Sequence, residues 1–208
     1  MDIIVISDPE EVTNEAFILN ALFEHGLEAF HLRKPTYTKA ETETLIEAIE
    51  PQYRNRVVLH HRYPLAMDYG LKGIHFTGNF IKNCFPKLED WYQEAKQYKM
   101  TVSASKHQLA ELKALEVAYD YVFLSPIFDS ISKVGYKSNF VDLENVVDYR
   151  GYTKIVALGG ITVDKIGQLK QMKFDGAAVL GTIWQAPDKA VQTFMALKAA
   201  WEKEDQIF

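Results

Sequence analysis

Two short glycine motifs carry the residue types that bind phosphate. Gly159 and Gly160 end the apolar run KIVALGG, and Gly181 and Thr182 end the later run GAAVLGT. Glycine allows the backbone to approach a ligand closely, and the first N–H groups of a helix attract anions. Either motif alone could simply make a tight turn. Because both loops carry the feature, we predict a phosphate-binding site at Gly159, Gly160, Gly181 and Thr182.

A polar loop follows the apolar run YVFLSPI. Its residues Ser130, Ser132 and Lys133 offer hydroxyl and ammonium donors, which bind anions well. Such a loop on its own is typical of a solvated segment. Beside a phosphate site, it is predicted to hold a second anionic group.

Four of the six histidines come at the ends of apolar runs. His31 and Arg33 are two residues apart in a predicted strand, so they share a face, and His31 lies one layer deeper if Arg33 points into a site. Neighbours in a strand point apart, so at most one of His60 and His61 should face that site. With His75, these two could supply a general acid or base near neutral pH, or could be hydrogen-bonded core residues. A zinc site of His60, His61 and His75 is disfavoured for the same reason.

The elements that position these residues form a repeating pattern of strands and helices. Short runs rich in β-branched and aromatic residues alternate with segments of helical spacing, which is typical of strands buried on both faces. The runs are residues 3–7, 29–33, 56–61, 73–77, 101–105, 121–127, 154–160 and 176–182. Eight alternations without a linker predict a single (β/α)8 TIM barrel over residues 1–208, in preference to an open doubly wound sheet.

Local signals mark several helix starts. Thr38 and Glu41 form a predicted capping box, and Pro187 begins a predicted final helix. Asp8 before Pro9 predicts an N-cap for the first helix. A helix is also predicted around the leucines that follow the fifth run. The third link, YPLAMDYGLK, leaves room for only a stunted helix.

The bulk composition excludes several classes of function. The chain has 208 residues, a net charge of −5 and a single cysteine, Cys84. A scattered basic charge argues against a nucleic-acid partner, and one cysteine cannot form an internal disulfide. No run is long enough for a membrane span and no signal peptide is recognisable, so a cytoplasmic protein is expected. The sequence is compatible with a homo-oligomer but does not determine the oligomeric state.

Six segments resemble the thiamine phosphate synthase/TenI family along nearly the whole chain. AFHLRKP is similar to the family's Q-L-R-x-K, GIHFTG to G-[IV]-H-[LV]-G-Q, and TVSAS to V-S-x-H. DYVFLSPIFDSISK resembles D-Y-V-x-x-G-P-[IV]-F-x-T-x-T-K, IVALGGIT resembles V-A-I-G-G-I, and DGAAVLGTI resembles D-G-V-A-V-x-S-x-I. The strand-six and strand-seven motifs, in that order, are the most specific part of this resemblance.

The resemblance implies an enzyme for small heterocyclic phosphates, a transferase that joins hydroxymethylpyrimidine diphosphate to thiazole phosphate with Mg²⁺-assisted loss of pyrophosphate. The glycine motifs would then hold the thiazole phosphate. The resemblance also implies that the diphosphate is surrounded by Arg33, Ser103, Ser130, Ser132 and Lys133. The catalytic candidates are Arg33, Lys133, His60, His61 and His75.

The sequence also departs from the family pattern where a metal and a lysine are expected. His60 and His61 occupy the positions of the family's N-D pair, and Asn79 and Phe80 occupy the positions where its acidic Mg²⁺ ligand is expected. Mg²⁺ use is therefore expected without the usual acidic ligands. Pro35 occupies the strand-two lysine position, with Lys34 one place early and facing elsewhere. His31 replaces the glutamine of the strand-two motif.

Two other activities stay open. A TenI-like, metal-independent tautomerase of thiazole phosphate fits the missing acids, although that branch's histidine near strand six is Pro126 here. A non-catalytic protein that binds phosphate ligands for regulation is the other alternative.

Overall fold

A computed structural model describes residues 2–129, 143, 146–149 and 151–203. Eight parallel strands form a closed barrel in sequence order, and β8 pairs with β1. This confirms the predicted single (β/α)8 architecture. The strands are β1 (Ile3–Ile6), β2 (Phe30–Leu32), β3 (Val57–Leu59), β4 (Gly73–Phe76), β5 (Thr101–Lys106), β6 (Tyr121–Leu124), β7 (Lys154–Leu158) and β8 (Gly176–Val179).

The strands divide their side chains between two cores. Ile4 and Ile6 of β1 belong to a small inner cluster, whereas Ile3 and Val5 belong to the large outer cluster between barrel and helices. The alternation follows from the period of two in a strand. On β6 the inward residues, Tyr121 among them, are aromatic. The inside of this barrel therefore holds aromatic side chains and, as described below, a set of polar ones.

The helices cover the outside of the barrel. They are α1 (Glu15–Glu24), α2 (Lys39–Ala48), α3 (Pro64–Asp68), α4 (Gly78–Gln97), α5 (Ile166–Gln171), α6 (Gly181–Trp184) and α7 (Ala190–Glu202). The shortness of α3 was predicted. The helix predicted after β5 is wrong, since the chain forms only a 3₁₀ turn at Leu109–Lys113. None of the described helices is long and apolar enough to cross a membrane.

The predicted helix starts have mixed outcomes. The capping box of Thr38 and Glu41 is present at the start of α2, and a 3₁₀ turn at Pro187–Lys189 leads into α7. The N-cap prediction for Asp8 is wrong. Asp8 accepts the Glu10 N–H at 3.0 Å in a turn, and α1 begins only at Glu15, whose side chain is buried in an ion pair.

Candidate active site

A cavity of about 1170 Å³ opens at the carboxyl ends of the strands. Its lining comes from the loops after all eight strands, as expected for the active face of this fold. The candidate residues that line it are Arg33, His60, His61, Gly159, Gly160, Gly181 and Thr182.

The two glycine motifs lie side by side along this cavity. Gly159 and Gly160 have φ angles of 105° and 63°, a conformation that side chains with a Cβ rarely adopt. The Thr182 hydroxyl donates to the carbonyl oxygen of Ile161, which links the loop after β7 to the start of α6. Within the described ranges, no acceptor pairs with the N–H groups of Gly160, Gly181 and Thr182. The cavity wall therefore presents unpaired backbone donors, which suit an anionic oxygen.

Arg33 brings a fixed positive charge to the same cavity. Its backbone N–H donates to the Ser7 hydroxyl at 2.8 Å, which ties the end of β2 to the end of β1. His31 lies deeper on the same face of β2 and is fully buried, as predicted. The other anion-binding candidates Ser130, Ser132 and Lys133 lie outside the described residues.

Ser103 and His75 are not brought to the cavity. Both are fully buried inside the barrel, where the Ser103 hydroxyl lies 2.8 Å from Nδ1 of His75. Ser105, two residues further along the same face of β5, lies at the cavity and is 2.8 Å from Nε2 of His75. Both ring nitrogens of His75 are therefore occupied by hydroxyl groups.

Three buried imidazoles meet below the floor of the cavity. His31 Nδ1 is 2.9 Å from His60 Nε2, and His31 Nε2 is 2.6 Å from the Tyr121 hydroxyl. The rings of His60 and His75 stack, with centroids 4.1 Å apart. Burial lowers the pKa of His31 and His60 well below the ordinary value and, with the charge of Arg33, lowers the pKa of His75 to about 3. All three rings are uncharged at neutral pH.

Both His60 and His61 line the cavity, so the expectation that at most one could do so is wrong. The physical reason is that β3 ends at Leu59, and strict alternation does not extend into the loop. His61 is only half-buried, and its pKa is lowered by burial and by the charges of Arg33 and Arg62. His61 is therefore placed where its ring can exchange a proton with a ligand in the cavity.

The sequence analysis missed three basic residues of the site, Lys82, Lys106 and His107. Lys106 and His107 line the cavity because β5 is one residue longer than predicted. Lys106 is buried and binds both carboxylate oxygens of Glu116 at 2.7 Å, while His107 lies against Ser125. The adjacent Lys-His pair at a strand end was the available signal.

Lys34 faces away from the cavity, as predicted. Its ammonium group forms a buried ion pair with Glu15 at 2.6 Å and donates to the carbonyl oxygen of Glu10. It therefore connects β2 to α1 and does not line the site.

Comparisons with known proteins show what the whole chain is similar to. The sequence model of a family described as thiamine monophosphate synthase matches residues 3–183. The thiamine-phosphate synthase of Anoxybacillus flavithermus is 35% identical over 187 residues, which cover 85% of this chain and 82% of that protein. The enzyme of the same name from Latilactobacillus sakei is 24% identical over 217 residues, covering 97% and 92%. The crystal structure of thiamine phosphate pyrophosphorylase from Bacteroides thetaiotaomicron aligns with a TM-score of 0.78 and 30% identity, covering 98% of this chain and all of that one.

Proposed function

Because the chain belongs to the thiamine monophosphate synthase family, we propose that it joins hydroxymethylpyrimidine diphosphate to thiazole phosphate. In this reaction the bond from the pyrimidine methylene carbon to the diphosphate oxygen breaks. The thiazole nitrogen forms the new carbon–nitrogen bond, and pyrophosphate leaves. The observation that carries the proposal is the row of backbone N–H groups at Gly160, Gly181 and Thr182 along the cavity, which have no acceptor among the described residues.

The proposed roles follow from charge and position. The glycine motifs hold the thiazole phosphate, since their donors are fixed before the ligand arrives. Arg33 faces the same cavity and stabilises the negative charge that develops on the leaving pyrophosphate. Ser130, Ser132 and Lys133 would add further donors to the diphosphate. Ser105, which lines the cavity, replaces Ser103 as the strand-five hydroxyl in this proposal.

Magnesium is the cofactor that the resemblance implies, and the described donors at its two expected positions do not fit it. His61 and Asn79 line the cavity there, while Mg²⁺ prefers charged oxygens. Among the described lining residues the carboxylates are Asp8 and Glu111, and one oxygen of Glu111 already accepts the N–H groups of its neighbours His107 and Gln108. We therefore propose a weakened Mg²⁺ requirement.

The proposal is tested by supplying both substrates and measuring pyrophosphate release and thiamine phosphate formation, with Mg²⁺ and with EDTA. Calorimetric titration of thiazole phosphate measures the phosphate site separately. We expect product in both conditions, with a smaller loss in EDTA than in an enzyme that has acidic ligands. Phosphate binding without product in either condition would instead indicate a non-catalytic binding protein.

Arg33→Met should lower kcat/KM for the transfer about 10- to 100-fold, because a charged hydrogen bond to the diphosphate is lost. Arg33→Lys should recover part of the activity, since it keeps the charge without the bidentate geometry. Steady-state kinetics at fixed thiazole phosphate give the measurement.

Lys154→Met is the matched control, because Lys154 is exposed at the opposite end of β7 and its loss removes the same charge. Equal rates for Arg33→Met and Lys154→Met would remove Arg33 from the proposed mechanism.

A metal-independent tautomerase is the second candidate, and the half-buried His61 at the cavity favours it. An imidazole there could move the proton that shifts between positions of the thiazole ring. Aromatisation of the thiazole carboxylate phosphate in EDTA is the assay that separates this activity from the transferase.

If His61 acts as the base, turnover should rise with pH through an inflection below 6.5, because burial and nearby positive charge lower its pKa. The inflection should disappear in His61→Gln and persist in His75→Gln, because His75 with a pKa of about 3 is already neutral. The pH–rate profile is the measurement. An inflection unchanged in His61→Gln would rule out this base.

A further inference from the structure

The buried cluster of His31, His60 and His75 is not used by the proposed reaction. One ring nitrogen from each residue can be chosen so that all three lie within 4.8 Å of one another. These side chains come from three adjacent strands or their ends, and all are almost completely shielded from solvent. We propose that the three histidines bind a transition-metal cation of the zinc class inside the barrel.

The ligand chemistry selects the class of cation. Neutral imidazoles bind Zn²⁺, Co²⁺ and Ni²⁺, whereas Mg²⁺ and Ca²⁺ prefer oxygen ligands. Zn–N bonds of about 2.0–2.1 Å place tetrahedral ligand atoms roughly 3.3 Å apart. The nitrogens of His31 and His60, at 2.9 Å, are already near this separation, and His75 has to move closer.

The surroundings supply partners that orient the rings. Histidines that bind metals usually donate their second N–H to a polar group, which fixes the ring and its tautomer. The Tyr121 hydroxyl is the polar partner of His31. The Ser103 or the Ser105 hydroxyl is the polar partner of His75. The Nδ1 atom of His60 is buried and has no hydrogen-bond partner among the described residues. Of the six ring nitrogens in the cluster, it is the one without a partner among the described residues, and a buried polar atom of this kind calls for an explanation such as a bound ion.

Two of these histidines are departures from the family motifs, and the fold brings them together. His31 stands where the resembling motif has glutamine, and His60 where it has the asparagine of the N-D pair. Their nitrogens are 2.9 Å apart although they come from different strands. The zinc set that the sequence analysis disfavoured contained His61 in place of His31. The structure supplies a different third ligand and removes the objection about neighbouring residues.

Access to the cluster is through His60, because it also lines the cavity. Three protein ligands leave a fourth position of a tetrahedral cation unfilled. Facing an anion-binding cavity, a bound cation would add positive charge beneath the ligand. This inference concerns binding by the folded chain and does not depend on the proposed transferase activity.

The test uses the full chain after treatment with a chelator and dialysis. Calorimetric titration should show one Zn²⁺ bound per chain and no comparable binding of Mg²⁺. Co²⁺ should bind with the visible absorption of a low-symmetry site with nitrogen ligands, and metal analysis after gel filtration should give the same stoichiometry.

His31→Gln and His60→Asn, which restore the residue types of the motifs, should each weaken Zn²⁺ binding about 100-fold or more. His25→Gln is the control, because His25 is exposed at the end of α1, where its Nδ1 lies 2.8 Å from the carbonyl oxygen of Ala21. Thermal melting of each variant without metal, followed by circular dichroism, shows whether it still folds. If one of the two histidine variants is unfolded, Zn²⁺ binding by the other one decides the test. The proposal is overturned if the wild type binds no stoichiometric Zn²⁺, if a folded variant binds it as tightly as the wild type, or if His25→Gln removes the binding.

Discussion

Gly160→Ala is expected to lower the free energy of unfolding by about 2–5 kcal/mol and to weaken the binding of thiazole phosphate. The backbone of Gly160 has a φ of 63°, which costs free energy for any residue with a Cβ. A Cβ there would also overlap the carbonyl oxygen of Asp129 and lie 2.9 Å from Cβ of Phe128. The chain would have to move at the point where its N–H faces the cavity. Urea denaturation and calorimetric titration measure the two effects.

Gly167→Ala is the matched control for this change. Gly167 lies in α5, and a Cβ added to it would meet nothing within 4 Å. Because alanine is the better helix former, this variant should keep phosphate binding and gain up to about 1 kcal/mol of stability. If Gly160→Ala were as stable and bound the ligand as well as Gly167→Ala, the backbone at residue 160 would not form the phosphate site.

Lys34→Met is expected to lower the free energy of unfolding by about 3–5 kcal/mol while leaving the cavity residues in place. The ammonium of Lys34 is 2.6 Å from Glu15 in a pair almost completely hidden from solvent. Removing the cation leaves a buried carboxylate without its compensating charge. The double variant Glu15→Gln, Lys34→Met should recover a large part of the lost stability, because Glu15→Gln removes the unpaired buried carboxylate. Thermal or urea unfolding of the single and double variants completes the cycle.

The pH dependence gives an independent check on this pair. Burial raises the pKa of Glu15 even though Lys34 acts in the opposite direction, and without Lys34 the pKa should rise further. A folded pKa above the unfolded value means that protonation favours the folded state, so stability is lost as pH rises through the folded pKa. The loss caused by Lys34→Met should therefore be larger at pH 7 than at pH 4.

Lys39→Met provides the comparison at the surface. Lys39 and Glu43 form an exposed pair at 3.5 Å in α2, and such pairs contribute less than about 1 kcal/mol. A Lys34→Met variant no less stable than Lys39→Met would show that the buried pair is dispensable.

The barrel could be predicted from the sequence because its strands are buried on both faces. Each strand must then be a short apolar run, and each connection must contain an amphipathic segment, so the pattern repeats along the chain. The capping box at Thr38 is equally local, since its donors and acceptors lie within one turn of helix. The glycine motifs were recognisable because a positive φ restricts the residue type.

The rest depended on contacts between distant parts of the chain. His31 and Tyr121 are 90 residues apart, and nothing local to either indicates their hydrogen bond. His60, His61 and Lys106 line the cavity because of the residues at which β3 and β5 end. The position of a strand end depends on packing around the barrel. The failed N-cap at Asp8 has the same origin, because α1 starts where Glu15 meets Lys34 of another element.

The pairing of β1 with β8 has a consequence for synthesis on the ribosome. Ile3 pairs with Ala177, so one edge of the first strand has no partner until the last strand has been made. An open apolar edge of this kind is a site where nascent chains pair wrongly or recruit chaperones. Since Gly181 and Thr182 lie just beyond β8, a growing chain has the complete cavity wall only after β1 and β8 have paired.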